Sequence, residues 1–207
     1  KSVNVGNFSD ISCFSFFANK IFSTGEGGMC STNNFQYYKR LKLLRNHGLS
    51  DKKKYLPVDI GFNFRMTNLQ AAIGFAQLKR SNKILNDRER IKFQYLKNLQ
   101  SINKKIFFPE EFPNCKNVNW IFTIIIKNCN IPKLIKYLFN KKIETRPIFY
   151  PFSRNRVYKN YKNINDNYKN SIYLEKYGIS LPTYYGIKNS SIKYICDQIK
   201  KFLNEKK

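Results

Sequence analysis

The feature that most constrains this fold is a stretch without proline at 67–99, TNLQAAIGFAQLKRSNKILNDRERIKFQYLKNL. Thr67 and Gln70 have capping-box spacing, in which each side chain satisfies a backbone donor that the helix start leaves unpaired. From Leu69 the apolar positions Leu69, Ala72, Ile73 and Ala76 keep helical spacing, and the pattern resumes at Ile84, Ile91, Tyr95 and Leu99. Such an element would span about 50 Å at 1.5 Å per residue, a length that usually ties two domains together. A bend or break is expected near Ser81. The domains are expected at 1–101, including the long helix, and at 102–207.

Short elements precede it. Residues 11–17 and 29–32 read as strands, with the glycines between them permitting a hairpin turn. Asn33 or Asn34 is placed to cap a helix running through about Leu44 and ending near Gly48. Behind the long helix, 119–127 reads as a strand, 131–140 as a helix with Pro132 in its first turn, and 143–149 as extended. A Tyr- and Asn-rich loop at 155–168 precedes I-S-L-P-T-Y. The last helix starts at about Ser191, with Ile192, Ile195, Ile199 and Phe202 on one face.

Composition narrows the function classes. A formal net charge of +25 draws phosphate in principle. Yet the charge is mostly lysine, spread along the chain, and accompanies abundant Asn, Ile, Tyr and Phe and only four alanines. This fits an AT-rich coding bias, so specific nucleic-acid binding is not expected, and an anionic small substrate suits the charge equally well. Cys13, Cys30, Cys115, Cys129 and Cys196 form no C-x-x-C pair, suggest neither a disulfide framework nor a zinc site, and fit a reducing cytoplasm. His47 is the single histidine, which removes chemistry needing histidine clusters, and no metal is expected. The apolar run at 120–126 is too short to cross a bilayer and no leader is visible, so the chain reads as soluble, with no membrane partner. Lys1 in place of methionine suggests part of a longer protein.

The segment S-F-F-A-N-K-I-F-S-T-G-E-G-G, at 15–28, admits two chemical readings. Lys20 is either a solvated lysine beside a glycine turn or an amine held to form a Schiff base. G-E-G-G is not a phosphate loop: it lacks G-x-x-x-x-G-K-[ST] spacing and leads into a strand instead of a helix.

The order of phrases separates the two. S-F-F-A-N-K-I-F-S-T-G-E-G-G-M, then L-R-N-H-G, then G-F-N-F-R-M-T-N-L-Q-A-A-I-G-F-A-Q-L resembles the DegT/DnrJ/EryC1/StrS family of pyridoxal-phosphate-dependent sugar aminotransferases. The likeness is dense through Leu78 and looser beyond it, where E-T-R-P-I-F-Y-P and I-S-L-P still match in order. It implies an α/β fold: the C-terminal part of a fold-type I large domain, followed by a small α+β domain. It implies pyridoxal 5'-phosphate as cofactor, with Lys20 as the Schiff-base lysine and as the group that shuttles the proton. A lysine that attacks a carbonyl must first lose its proton, and burial beside apolar or cationic groups favours that state. Ser15 matches a serine that hydrogen-bonds active-site ligands, foremost the cofactor phosphate. Asn63 matches an asparagine reaching into a neighbouring subunit's site, which implies a homodimer with shared sites. Arg65 is either a phosphate or diphosphate partner or half of a structural ion pair. Tyr150 either borders the sugar-nucleotide pocket or is a core aromatic. His47 is expected to be structural.

The implied reaction moves an amino group from an amino-acid donor, glutamate by family analogy, to a nucleotide-linked 4-keto-6-deoxy sugar for surface glycan synthesis. The phrasing resembles perosamine-synthase-like members, which use a GDP sugar; UDP and dTDP sugars remain open. The family's phosphate cradle, ring-stacking aromatic and ring-pairing aspartate would lie upstream of Lys1, and Asp10 is no substitute for that aspartate. The competing reading is therefore a truncated, catalytically incompetent relic that acts only as a folded or dimerising module.

Overall fold

The computed structural model describes residues 4–161 and 168–204. Residues 162–167 of the expected loop at 155–168 lie outside it. The chain forms two compact units, Lys1–Ser81 and Asn82–Lys207.

In the first unit, β1 (Ser12–Ser15) pairs antiparallel with β2 (Gly28–Ser31), as the hairpin expectation requires. Helix α1 (Phe35–Arg45) starts where the Asn34 side chain accepts hydrogen bonds from the backbone N–H groups of Gln36 and Tyr37, at 2.8 and 3.2 Å. Helix α2 (Asn68–Leu78) opens on the expected capping box. The Thr67 hydroxyl accepts from the Gln70 N–H at 3.2 Å, and the Gln70 carboxamide oxygen accepts from the Thr67 N–H at 2.9 Å.

The long helix is interrupted after Leu78 and restarts as α3 (Ser81–Leu99). The Arg80 N–H bonds the Gln77 carbonyl at 2.9 Å, an i−3 bond that tightens the last turn in place of continuing the ladder. The two units divide at Ser81/Asn82, ahead of the 101/102 boundary drawn from sequence. The physical reason is α3, whose residues Ile91, Tyr95 and Leu99 are buried in the core of the second unit.

That second unit is a four-stranded antiparallel sheet in the order β3 (Ile106–Phe107), β4 (Phe122–Ile126), β6 (Gly178–Leu181), β5 (Arg146–Pro147). Period-two alternation in β4 buries Phe122, Ile124 and Ile126 and leaves Thr123 and Ile125 half-buried. Their apolar face joins α4 (Ile131–Asn140) and α6 (Asn189–Asn204) in one core. In α6, Ile192, Ile195, Ile199 and Phe202 are all buried, as their spacing predicts. Helix α5 (Lys169–Tyr177), absent from the sequence reading, leads into β6.

Polar anchors fix α3 to this core. The Tyr95 ring stacks on Phe122 with centroids 5.0 Å apart, and its hydroxyl donates to the Pro182 carbonyl at 2.8 Å. Burial raises the Tyr95 pKa well above the ordinary phenol value. Arg88 is buried and donates to the carbonyls of Trp120 and Thr183. Burial lowers its guanidinium pKa, and the neighbouring Asp87 offsets part of that shift.

Candidate functional site

Lys20 lies in the connection between β1 and β2, half-buried, and its backbone N–H closes a turn onto the Phe17 carbonyl at 2.9 Å. The base of that connection continues the strand ladder. Phe16 N–H donates to Gly27 O, and Thr24 N–H donates to Phe16 O, each at 2.9 Å. Ser15 is exposed at the end of β1, where its hydroxyl accepts from the Phe17 N–H at 3.4 Å. Gly28, its partner in the register, carries no side chain to cover that hydroxyl.

Helix α2 holds this connection through Gln77, which the sequence does not single out, and through Gln70, which the sequence marks only as a capping-box residue. The Gln77 carboxamide brackets one residue: its oxygen accepts from the Ser23 N–H at 3.1 Å and its nitrogen donates to the Ser23 carbonyl at 2.5 Å. One end of the same helix face carries Gln70, whose nitrogen donates to the Glu26 carbonyl at 3.0 Å. Between them sits Gly74, where an added Cβ would come within 2.9 Å of the Thr24 methyl. Positions 70, 74 and 77 share one helical face. At Gly27 a Cβ would meet the Thr24 hydroxyl at 2.4 Å and the Met66 methyl at 2.9 Å. The glycine turn is thus shaped by close packing and pinned at two carbonyls.

The phrases L-R-N-H-G and G-F-N-F-R fold against each other. Phe62 N–H donates to Leu44 O at 2.7 Å, His47 N–H to Phe62 O at 3.0 Å, and Phe64 N–H to Arg45 O at 3.1 Å. Asn63 bridges Asn46 in this ladder, and its side chain is exposed. Gly48 and Gly61 make the approach possible, since a Cβ on Gly61 would lie 1.9 Å from the Gly48 nitrogen. His47 has a left-handed backbone (φ 59°) and an exposed side chain, so its place in this turn is a backbone role. Arg65 is exposed and donates to the Asn46 carboxamide oxygen at 3.3 Å, a neutral partner in place of the ion pair entertained from sequence. Arg40 and Asp59 do pair, and hydrogen bonds from the Arg40 guanidinium and the Ile60 N–H hold the Asp59 carboxyl below its usual range.

Tyr150 belongs to the second unit. It is 59% exposed, which removes the core-aromatic reading, and the Arg154 guanidinium lies 5.4 Å from its ring centroid. Arg154 also pairs with Glu175 at 2.8 Å.

Chemically, the first unit therefore presents an amine, a hydroxyl and a carboxamide–guanidinium pair on well-defined backbone. Ser15 and Lys20 share one hairpin, while Asn63 and Arg65 lie on the segment that feeds α2. Among the described residues no cluster of three or more His, Cys, Asp and Glu could hold a metal ion, and no helix is long and apolar enough to cross a membrane.

The model of the DegT/DnrJ/EryC1/StrS aminotransferase family matches residues 1–200. GDP-perosamine synthase of Escherichia coli O157:H7 is 35% identical over 210 residues, spanning 100% of this chain and 55% of that protein. GDP-perosamine synthase of Caulobacter vibrioides is 35% identical over 190 residues, or 90% of this chain and 51% of that one. The solved structure of Helicobacter pylori PseC, an aminotransferase involved in the biosynthesis of pseudoaminic acid, superposes with a TM-score of 0.87 at 25% identity. It covers 98% of this chain and 55% of its own. The chain thus spans about half the length of the curated relatives it matches.

Proposed function

Because the chain belongs to the DegT/DnrJ/EryC1/StrS aminotransferase family, we propose that the protein it forms transfers an amino group from glutamate to a nucleotide-linked 4-keto-6-deoxy sugar. The product would feed surface polysaccharide synthesis. Two relatives named GDP-perosamine synthase support a GDP-linked sugar over UDP- and dTDP-linked ones. The observation that carries the reading is the Lys20 connection, clasped at Ser23 and Glu26 by Gln77 and Gln70 of α2.

Family membership implies pyridoxal 5'-phosphate as the cofactor. The hairpin fits that group in two respects: it offers a half-buried amine at Lys20 and, at Ser15, an exposed hydroxyl facing a glycine that leaves it uncovered. When bound, the cofactor supplies an electron sink that acidifies the C–H bond beside the transferred nitrogen.

The chain's own residues do the rest in this reading. The Lys20 amine binds the cofactor covalently and, once released, takes a proton from the donor's α-carbon and returns one to the sugar carbon receiving nitrogen. Ser15 donates its hydroxyl hydrogen to the cofactor phosphate. Arg65 pairs with a phosphate or the substrate diphosphate as a charge-assisted donor. Asn63 serves the site of a second copy in a homodimer, and Tyr150 borders the sugar-nucleotide pocket. Lys1–Ser81 belongs to the cofactor-binding domain, and Asn82–Lys207 is the small C-terminal domain.

The test is amino transfer by the complete protein, supplied with cofactor, glutamate and keto sugars on each of the three nucleotides. The expected product is an amino sugar from the GDP substrate, with 2-oxoglutarate released in equal amount. No amino sugar from any of the three would contradict the reading. Mixing inactive Lys20→Ala and Asn63→Ala proteins should restore at most about half the wild-type rate per heterodimer, because one of its two sites carries neither defect. No recovery after demonstrated subunit exchange would contradict the shared site.

A further inference from the structure

We propose that Cys13 and Cys30 form a reversible disulfide across the hairpin that carries Lys20. The two residues are direct partners in the β1–β2 register, and their sulfurs lie 3.8 Å apart. This pairing is independent of the reaction assigned above.

The register favours the bond. Phe16 N–H donates to Gly27 O, which makes that couple a hydrogen-bonded pair. Antiparallel pairs alternate, so Ser15/Gly28 is non-hydrogen-bonded, Phe14/Met29 hydrogen-bonded and Cys13/Cys30 non-hydrogen-bonded again. Non-hydrogen-bonded pairs bring Cα atoms to about 4.5 Å, within the ~4.4–6.8 Å that a disulfide spans. Side-chain rotation then suffices, with no slip of the strands. Cys196 offers the contrast: burial pushes its thiol up to about 12, as befits a structural cysteine.

The oxidant is a low-molecular-weight disulfide such as oxidised glutathione. One cysteine thiolate attacks a glutathione sulfur, giving a mixed disulfide and releasing one glutathione thiol. The second cysteine attacks the mixed disulfide at the protein sulfur and releases the other. Two protein thiols are oxidised by two electrons, one glutathione disulfide is reduced, and the two thiol protons end on the glutathione thiols. Burial and the adjacent Cys13 raise the Cys30 thiol above its ordinary value, so exchange quickens as pH rises. Once formed, the bond closes a loop of residues 14–29 that contains both Ser15 and Lys20. It also lies on the same strand face as Ser15, two positions away.

The complete protein is equilibrated under native conditions in glutathione buffers from reducing to oxidising, quenched in acid, alkylated and digested with trypsin without reductant. Cleavage after Lys20 puts Cys13 and Cys30 on separate peptides, 2–20 and 21–39, which only the bond can hold together. The expected result is a linked 2–20/21–39 species that grows with oxidation and disappears with dithiothreitol. It should be absent from Cys13→Ser and lose its preference over links to Cys115 in denaturant. Free, alkylated Cys13 and Cys30 across the whole range, while Cys115 takes up glutathione, would overturn the proposal. So would glutathione on each cysteine separately with no link between them.

Discussion

Asn82–Lys207 and Lys1–Ser81 treat their apolar side chains in opposite ways. In the first, Ile124, Leu134 and Ile199 are 0% exposed, whereas on α2 of the second Leu69, Ile73 and Phe75 are 79%, 52% and 60% exposed. Among the described residues, no hydrophobic side chain of Lys1–Ser81 is buried. Its order comes from other sources: the two-stranded ladder, the α2 clasp at Ser23 and Glu26, and the backbone-on-backbone contact of Gly48 with Gly61. A two-stranded sheet alone is marginal in water, and an apolar face of this extent needs cover. In our reading the assembled protein supplies it. Within this chain, then, the order around Lys20 rests on hydrogen bonds and close approaches, and that of Asn82–Lys207 on a packed core.

The sharpest way to break this contrast is to truncate one side chain from each unit. Leu134→Ala should cost about 2–5 kcal/mol, the range for a fully buried leucine. Denaturant unfolding followed by the fluorescence of Trp120, the single tryptophan, reads it. Ile73→Ala should change the amide exchange of Ser23 by less than about 0.5 kcal/mol in the same chain, as expected of an exposed position. Comparable losses at both sites would end the distinction.

Electrostatics sharpens it. Asp87 accepts from Arg90 Nε at 2.8 Å and from Gly186 N–H at 2.7 Å. Burial alone would raise its carboxyl, but these bonds and the positive charges of Arg90 and Arg88 outweigh it and hold it below the usual range. Its stabilisation is therefore present above the unfolded carboxylate pKa and fades as pH falls through the lowered folded value. Asp87→Asn should cost about 1–2 kcal/mol near neutral pH, and the gap to wild type should close in acid. A gap independent of pH would contradict this. A smaller effect than at Leu134 is expected at Gln77→Ala, which should weaken protection of the Ser23 amide by about 1 kcal/mol and leave the Trp120 transition in place.

What was legible in the sequence was local. The capping box at Thr67, the Asn34 cap and the α6 stripe each depend on spacings within one element, and each is present. The spacing points to a break near Ser81, but helical spacing that resumes at Ile84 carries no sign that the chain passes into a second unit there. Neither β3, of two residues, nor α5, with no capping side chain and no buried residue, carries a pattern to read. At the candidate site, the order of phrases singles out Lys20 and Ser15, and the structure places both on one hairpin. The clasp by Gln70 and Gln77 is not legible, because their partners Glu26 and Ser23 lie far away in sequence and accept or donate through the backbone, which leaves no residue-type signal. The Cys13–Cys30 pairing likewise emerges only with the hairpin register.

In the proposed reaction Lys20 is the residue that holds the cofactor, and chemical trapping reads this directly. The complete protein, loaded with pyridoxal 5'-phosphate, is reduced with borohydride and mapped by peptide mass spectrometry. The expected result is the pyridoxyl mass on Lys20, a missed tryptic cleavage there, and loss of both the visible absorbance and the label in Lys20→Ala. A label at another lysine, or a Lys20→Ala protein that keeps both its absorbance and its amino transfer, would contradict it.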